Sequence, residues 1–73
     1  MPEEDIGCSV VPSEHARHEM IDDAITNDEA RDAIVQGIRR PHKDKKILAR
    51  LDGIEVVYKE KPCHWWILTA YRG

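Results

Sequence analysis

The dipeptide Asp52-Gly53 is the feature that most restricts the fold of this chain, because it separates two runs rich in aliphatic residues. A two-residue type I′ turn needs a positive φ at both central positions, and Asp-Gly adopts it readily. Such a turn places Arg50 opposite Glu55 on one face of a hairpin. The other face is apolar and contains Ile47, Ala49, Leu51, Ile54, Val56 and Tyr58. The sequence therefore predicts a hairpin with one buried face.

A third strand follows the hairpin. Lys61-Pro62 marks the second turn, and the run from Cys63 to Tyr71 returns as the last strand. Alternation with a period of two puts Trp66, Leu68 and Ala70 on the face beneath the helices. The same alternation puts a second set on the opposite, open face, namely Trp65, Ile67, Thr69 and Tyr71. Because both sets are largely apolar, this strand is predicted to be the central one.

Two helices are predicted before the hairpin. Ser13 is a suitable N-cap for the first helix, whose apolar stripe extends to about Ile25. Thr26 and Glu29 have the spacing of a capping box, which indicates the start of a second helix. Apolar residues then recur at helical spacing as far as Ile38. Each helix thus has one face that can be buried.

The remaining segments complete the predicted topology. Residues 1–5 are acidic and are expected to be disordered, and residues 6–11 predict an edge strand that Pro12 ends. Residues 39–46 carry five bases and one acid and predict a polar connection. The resulting order, β-α-α-β-β-β with two helices packed on one face of an antiparallel sheet, is an α+β fold. Residues 6–73 are expected to form a single domain.

Length and charge restrict the classes of function. A chain of 73 residues forms one small core of marginal stability, which favours a homo-oligomer. No apolar run approaches the ~20 residues that span a bilayer, and the acidic start differs from a signal peptide. These features predict a cytoplasmic protein with no membrane partner. Residues 1–32 carry ten acids and two bases, whereas residues 33–73 carry four acids and nine bases. The asymmetry favours an anionic partner or a self-complementary dimer, unless the charges mix in the folded state.

Short motifs at both ends of the chain resemble one family. The segment from Ser13 to Thr26 resembles the [ST]-x-H-A-x-x-R-M-x-x-R-G-I-[ST] opening of small RelE-like domains of uncharacterised function. The segment Ile67 to Tyr71, ILTAY, is similar to the closing V-V-T-V-Y strand of those domains, and the resemblance spans about residues 10–72. It implies the barnase, EndoU, colicin and RelE type of fold. In that fold two helices pack on one side of a curved antiparallel sheet, and the open side binds RNA.

The resemblance also implies an activity and a partner. Many RelE-like proteins cleave RNA without a metal or other cofactor, often as toxins held by an antitoxin protein. His15 corresponds to the histidine of the opening motif, and Thr69 and Tyr71 correspond to the closing motif. Glu19 and Asp23 stand where the family commonly has arginine. Acidic side chains there would repel phosphate if they faced the RNA-binding cleft.

The chemistry of these residues is compatible with RNA cleavage. Attack by a 2′-hydroxyl needs a base of near-neutral pKa, and the first turn of a helix disfavours the cationic form of His15. Thr69 and Tyr71 would hydrogen-bond the phosphate. The candidates for phosphate binding are Arg50, Lys59, Arg72, Arg39, Arg40 and Lys43. The alternative is that His15 is a surface residue, Thr69 a strand former and Tyr71 a cover for the core.

Two further hypotheses use other residues. In a non-catalytic homodimer or partner-binding module, Trp65 and Ile67 on the open face form the interface, while Trp66 fills the core. A zinc site would have suitable ligand types in Cys8, His15, His18 and Cys63 or His64. Their spacing matches no standard zinc motif, so no metal is predicted. The two cysteines are expected to be free thiols in a reducing cytosol.

Overall fold

The computed structural model describes residues 9–73, which form a five-stranded sheet and two α-helices. The strands are β1 (Ser9–Pro12), β2 (Ile38–Pro41), β3 (Ile47–Leu51), β4 (Ile54–Glu60) and β5 (His64–Arg72), and the helices are α1 (Glu14–Asp22) and α2 (Asn27–Gln36). A 3₁₀ turn, Lys43–Lys45, lies between β2 and β3. The predicted disorder of residues 1–5 and the first part of the predicted strand at 6–11 lie outside the described residues.

The sheet has the strand order β1-β5-β4-β3-β2. β1 is parallel to β5, and the other neighbouring strands are antiparallel, so the sheet is mixed. The buried side chains of both helices form one core with those of β3, β4 and β5. The predicted α+β class, with two helices on one face of the sheet, is confirmed. β4 occupies the middle of the sheet, whereas the last strand was predicted to be central, and β2 is an additional strand.

The β3-β4 hairpin has the predicted register. Asp52 and Gly53 have φ values of 53° and 82°, as a type I′ turn requires. Arg50 pairs with Glu55, as predicted. All six side chains of the predicted apolar face either belong to the core or pack against it. The local turn signal was therefore sufficient to define this part of the sheet.

Both helices begin at the predicted caps. The backbone N–H of Ala16 donates a hydrogen bond to Ser13 Oγ at 3.1 Å. In the capping box, the N–H of Glu29 donates to Thr26 Oγ1 at 3.1 Å, and the N–H of Thr26 donates to Glu29 Oε1 at 2.9 Å. Each cap satisfies donors that the first helical turn leaves without a partner.

The first helix ends earlier than predicted. Its last residue is Asp22, because Ala24 adopts a left-handed φ of 55° and reverses the chain. The N–H of Ile25 then donates to the carbonyl of Met20 at 2.8 Å and closes the helix end. Ile25 is only 6% exposed and still joins the core. Ile25 therefore continues the apolar pattern of the first helix in the sequence, although it lies beyond the end of that helix.

The second helix is followed by a strand rather than by a long connection. Gly37 ends α2, so the predicted continuation of the helix to Ile38 is wrong, and residues 38–41 pair with β3. A Cβ on Gly37 would lie 2.4 Å from the carbonyl oxygen of Ala33 and 2.5 Å from that of Arg50. Only glycine permits this approach of the helix end to β3, and the approach lets β2 start directly after the helix.

A β-bulge interrupts the pairing of β4 with β5. Val57 pairs with Thr69, but the next residue of β4, Tyr58, pairs with Ile67. Leu68 is therefore the extra residue on β5. Because side chains alternate with a period of two, one extra residue exchanges the faces of all residues on one side of the bulge.

The bulge reverses the predicted faces of the first half of β5. Ile67 is completely buried and Trp65 packs against the core, whereas Trp66 is 42% exposed. The prediction that Trp66 fills the core is therefore wrong. The placement of Trp65 and Ile67 on the open face is also wrong. Because both residues belong to or pack against the core, they cannot form the homodimer interface that was predicted from that placement.

Candidate nucleic-acid interface

The sheet face opposite the helices, called the open face, is defined by the strand register. Its members are Ser9, Val11, Ile38, Arg40, Leu48, Arg50, Glu55, Val57, Lys59, His64, Trp66, Thr69 and Tyr71. Three of these residues are lysine or arginine and one is acidic, whereas the whole chain has a net charge of −3. The open face is therefore a basic surface on an acidic protein, as an anionic partner requires.

Trp66 provides an exposed aromatic ring on the open face. Lys59 is its cross-strand neighbour on β4, and Val11 is its neighbour on β1. The Nζ atom of Lys61 lies 5.8 Å from the centroid of the indole ring. An exposed indole with one ammonium group over its ring and a second lysine on the neighbouring strand combines a stacking surface with charges that bind phosphate.

Three cross-strand neighbours on the open face form a polar chain. Arg50 Nε lies 3.5 Å from Glu55 Oε2, and the hydroxyl of Tyr71 donates to Glu55 Oε1 at 2.9 Å. The hydrogen bond to Glu55 is the main reason that the pKa of Tyr71 is raised above its ordinary value. Tyr71 therefore remains a neutral hydroxyl group at physiological pH. The side chain of Arg50 is 65% exposed, so its guanidinium is accessible beside this hydroxyl.

Helix α1 lies along the edge of β5, and two carboxylates at its C-terminal end accept hydrogen bonds from backbone N–H groups of that edge. The N–H of Ala70 donates to Glu19 Oε1 at 3.2 Å, and the N–H of Arg72 donates to Asp23 Oδ2 at 2.9 Å. Four residues of an α-helix advance about 6 Å and two residues of a strand about 6.6 Å, so carboxylates at i and i+4 match alternate N–H groups. Glu19 and Asp23 thus have a structural role at the edge of β5.

Glu19 also connects two of the predicted catalytic residues. The hydroxyl of Thr69 donates to Glu19 Oε1, and His15 Nε2 lies 3.5 Å from Glu19 Oε2. The side chain of His15 is 72% exposed in the first turn of α1. Tyr71 follows Thr69 on the same face of β5. The structure therefore groups the three predicted catalytic residues, and it adds Glu19, whose position four residues after His15 was the available sequence signal.

Arg72 does not reach the open face. Its Nε donates to the carbonyl of Asp23 at 3.0 Å, and one of its terminal nitrogens donates to the carbonyl of Ala24 at 3.2 Å. The same terminal nitrogen lies 3.8 Å from Glu29 Oε2. The guanidinium caps the C-terminal end of α1 on the helix side of the sheet. The prediction that Arg72 supplies charge to the open face is therefore wrong.

The other predicted phosphate-binding residues lie partly on the open face and partly elsewhere. Arg39 lies on the opposite face of β2 from Arg40, and its positive charge acts there to lower the pKa of the Tyr58 hydroxyl, against the larger effect of burial. Lys43 is exposed in the 3₁₀ turn. The predicted phosphate-binding residues that share the open face are Arg40, Arg50 and Lys59.

Glu19→Ala is expected to lower the free energy of unfolding by about 1–3 kcal/mol, because Ala70 and Thr69 lose their hydrogen-bond acceptor. Urea denaturation followed by tryptophan fluorescence measures the change. Asp22→Ala is the matched control, since this residue is an exposed acid on the same helix, and we expect it to change stability by less than about 0.5 kcal/mol. Equal losses in the two variants would contradict the role of Glu19 at the strand edge.

The described part of the chain contains no metal cluster that corresponds to the zinc hypothesis. Within residues 9–73, no group of three or more His, Cys, Asp or Glu side chains could hold an ion together. Cys63 is an exposed free thiol, and Cys8 lies outside the described residues. Over the same range, no helix combines the length and the apolar character needed to cross a membrane.

Fold and surface together define a small α+β domain with two helices on one face of a mixed sheet and a basic open face that carries an exposed indole. The chain belongs to the family described as Domain of unknown function (DUF4258), whose model matches residues 13–72. No curated protein and no solved structure matches the chain. The matched residues run from the N-cap of α1 to the end of β5, so they include His15, Glu19, Thr69 and Tyr71.

Proposed function

We propose that the protein binds single-stranded RNA on the open face. The observation that carries this proposal is Trp66, a residue that is 42% exposed on a face with three lysine or arginine side chains and one acid. Stacking of a base on an aromatic ring contributes about 1–3 kcal/mol, and lysine and arginine side chains bind the phosphates. Unpaired bases can reach such a ring, whereas the bases of a duplex are stacked on each other.

The three cations of the open face are spread both across the strands and along them. Lys59 lies opposite Trp66 on β4, whereas Arg40 is level with Val57 and Arg50 is level with Glu55, two and four residues along β4 from Lys59. At about 4.8 Å between strands and about 3.4 Å per residue, Arg40 and Arg50 each lie roughly 16 Å from Trp66. A strand with one base stacked on Trp66 thus places an adjacent phosphate near Lys59 and reaches Arg40 and Arg50 with phosphates further along. Two bound phosphates already give a salt-dependent affinity.

The resemblance to RelE-like domains supports the same surface. That resemblance implies RNA binding on the sheet side that the helices leave open, and both helices of this chain lie on the other side. We therefore include kinship with RelE-like toxins in the proposal. An antitoxin-like protein that covers the basic face is the protein partner that this kinship implies.

The proposal includes cleavage of the bound strand. His15 removes the proton of a 2′-hydroxyl, and the carboxylate of Glu19 stabilises the imidazolium that forms. The 2′-oxygen bonds to phosphorus while the bond to the 5′-oxygen breaks, which gives a 2′,3′-cyclic phosphate and, after protonation, a 5′-hydroxyl. When the strand binds, the hydroxyls of Thr69 and Tyr71 exchange their carboxylate acceptors, Glu19 and Glu55, for phosphate oxygens and so orient the phosphate. The exposed guanidinium of Arg50 stabilises the negative charge of the transition state.

His15→Ala is expected to abolish cleavage of a labelled single-stranded RNA by the purified protein and to change its binding by less than about twofold. The thermal midpoint should remain within a few degrees, because the exposed pair with Glu19 contributes less than about 1 kcal/mol. His18→Ala, an exposed histidine on the same helix, is the control and should cleave normally. Gel electrophoresis of the products and fluorescence anisotropy provide the two measurements.

The two parts of the proposal fail in different ways. A wild-type protein that binds RNA without cleaving it would restrict the function to binding and would remove the role of His15 as a base. A wild-type protein that binds no single-stranded RNA at low salt would overturn the proposal as a whole.

A further inference from the structure

A second basic surface lies at the end of the sheet, in a shallow pocket of about 460 Å³. Arg39 and Arg40 enter it from β2, and Lys45 and Lys46 enter it from the turn that follows. Glu60 is the acidic residue in its lining. Four cations around one carboxylate give the pocket a strong positive potential. With the exception of Arg40, these cations are not members of the open face.

The floor of the pocket combines an apolar wall with a hydroxyl group. Ile47 and the ring of Tyr58 line it, and Tyr58 is only 1% exposed. The guanidinium of Arg39 lies near enough to the Tyr58 hydroxyl to lower its pKa, against the larger effect of burial. Because a guanidinium has donors only, it does not compete for the hydroxyl proton, which is left for an acceptor. Burial, with a smaller effect of Glu60, raises the pKa of Tyr58, so the hydroxyl is neutral at physiological pH.

The turn beside the pocket has a strained backbone. Asp44 and Lys45 have left-handed φ values of 57° and 63°, although neither is glycine. Such a conformation costs about 1–2 kcal/mol per residue. The N–H of His42 donates to the carbonyl of Lys46 at 2.8 Å, which closes the turn. The strained reversal brings Lys45 and Lys46 to the pocket that Arg39 also lines, so like charges are concentrated at one place.

We propose that this pocket binds a phosphate monoester, either on a free nucleotide or at the end of an RNA strand. A phosphate monoester carries about −1.5 to −2 charges at pH 7, which matches several cations better than the single charge of a diester. Its oxygens accept hydrogen bonds from the guanidinium of Arg39 and from the Tyr58 hydroxyl. The apolar wall and the volume, within the 300–1,000 Å³ range of small-molecule sites, leave space for the attached sugar and base. This inference does not depend on RNA binding by the open face.

The first experiment is a titration of the full chain with adenosine 5′-monophosphate, with adenosine and with inorganic phosphate, followed by ¹H-¹⁵N NMR. We expect the nucleotide to shift amide signals of residues 39–47 and to bind at least about tenfold more tightly than adenosine. Inorganic phosphate should shift the same signals. Adenosine binding equal to that of the nucleotide, or shifts confined to the open face, would overturn the assignment.

Point variants test the named groups. Lys45→Gln and Tyr58→Phe are each expected to weaken nucleotide binding by about fivefold or more, because each removes one contact to the phosphate. Lys43→Gln is the matched control, since Lys43 belongs to the same turn but does not line the pocket. Lys45 is exposed, so its variant remains informative if Tyr58→Phe destabilises the fold. Equal affinity of Lys45→Gln and Lys43→Gln would contradict the proposal.

Two RNA oligonucleotides distinguish the possible sources of the phosphate. If the ligand is an RNA end, a 5′-phosphorylated oligonucleotide binds about fivefold or more tightly than its 5′-hydroxyl form, and Lys45→Gln removes that gain. If the ligand is a free nucleotide, the two oligonucleotides bind alike while adenosine 5′-monophosphate still occupies the pocket. Both results support a monoester site. The monoester site is contradicted if adenosine 5′-monophosphate binds no more tightly than adenosine and the 5′-phosphorylated oligonucleotide no more tightly than its 5′-hydroxyl form.

Discussion

Gly37→Ala is expected to lower the free energy of unfolding by about 3 kcal/mol or more, a large fraction of the stability of this small domain. The added Cβ would lie 2.4 Å from the carbonyl oxygen of Ala33 and 2.5 Å from that of Arg50, and both atoms belong to the backbone. A change of rotamer cannot relieve these contacts, so α2 must move away from β3. Overpacking of this kind costs about 3 kcal/mol or more. A domain of 73 residues has a total stability of roughly 4–11 kcal/mol at 0.05–0.15 kcal/mol per residue.

A second glycine provides the control for this variant. Gly53 has a φ of 82°, but the nearest atom to a Cβ added there is the carbonyl oxygen of Gly73 at 3.8 Å. Gly53→Ala is therefore expected to cost only about 1 kcal/mol through backbone strain. Urea denaturation of both variants, followed by circular dichroism, gives the comparison. A Gly37→Ala protein within about 1 kcal/mol of the wild type would show that α2 does not approach β3 so closely.

Neutralisation of the open face is expected to reduce RNA affinity roughly a hundredfold at low salt, at about 1 kcal/mol for each of three phosphate contacts. The variant combines Arg40→Gln, Arg50→Gln and Lys59→Gln. For a single strand, the slope of log K against log salt should fall by about 2, since each contact contributes about 0.7. Fluorescence anisotropy at several salt concentrations measures both quantities. Arg17→Gln, an exposed arginine on α1, is the control and should change neither.

The aromatic ring should act differently from the charges. Trp66→Ala is expected to weaken binding by about 1–3 kcal/mol, because the base loses its stacking partner, and to leave the salt slope unchanged. If RNA affinity falls in the triple glutamine variant but not in Trp66→Ala, the open face is a nonspecific electrostatic surface. Full affinity in both variants would exclude the open face as the RNA-binding site.

Features that depend on neighbouring residues could be predicted from the sequence. The Asp52-Gly53 turn, the N-cap at Ser13 and the capping box of Thr26 and Glu29 are each defined within four residues or fewer, and all of them are confirmed. The hairpin register followed from the turn alone. Local backbone chemistry decides these elements, so no knowledge of the tertiary structure was needed.

Features that depend on distant residues could not be predicted. The bulge at Leu68 has no local signal, and it exchanged the environments of Trp65 and Trp66. The strand at residues 38–41 is short, charged and ends in proline, which are properties that protect a sheet edge and also resemble a loop. The close approach of Gly37 to Arg50 joins two elements that the sequence pattern treats separately.

The candidate site shows the same division. The resemblance to RelE-like domains pointed to His15, Thr69 and Tyr71, and the structure places them near one another. The contribution of Glu19 required the position of α1 along the edge of β5, which no periodicity specifies. Arg72 was a candidate by charge alone, and its position at the end of α1 could be known only from the fold.

The contact between α1 and β5 also protects one edge of the sheet. β1 covers the first part of β5, and the carboxylates of Glu19 and Asp23 occupy its later N–H groups. One continuous stretch of chain therefore closes a nine-residue strand that would otherwise recruit a further strand from another molecule. Replacement of both acids by apolar residues would free these N–H groups and would create a template for aggregation without changing a core residue.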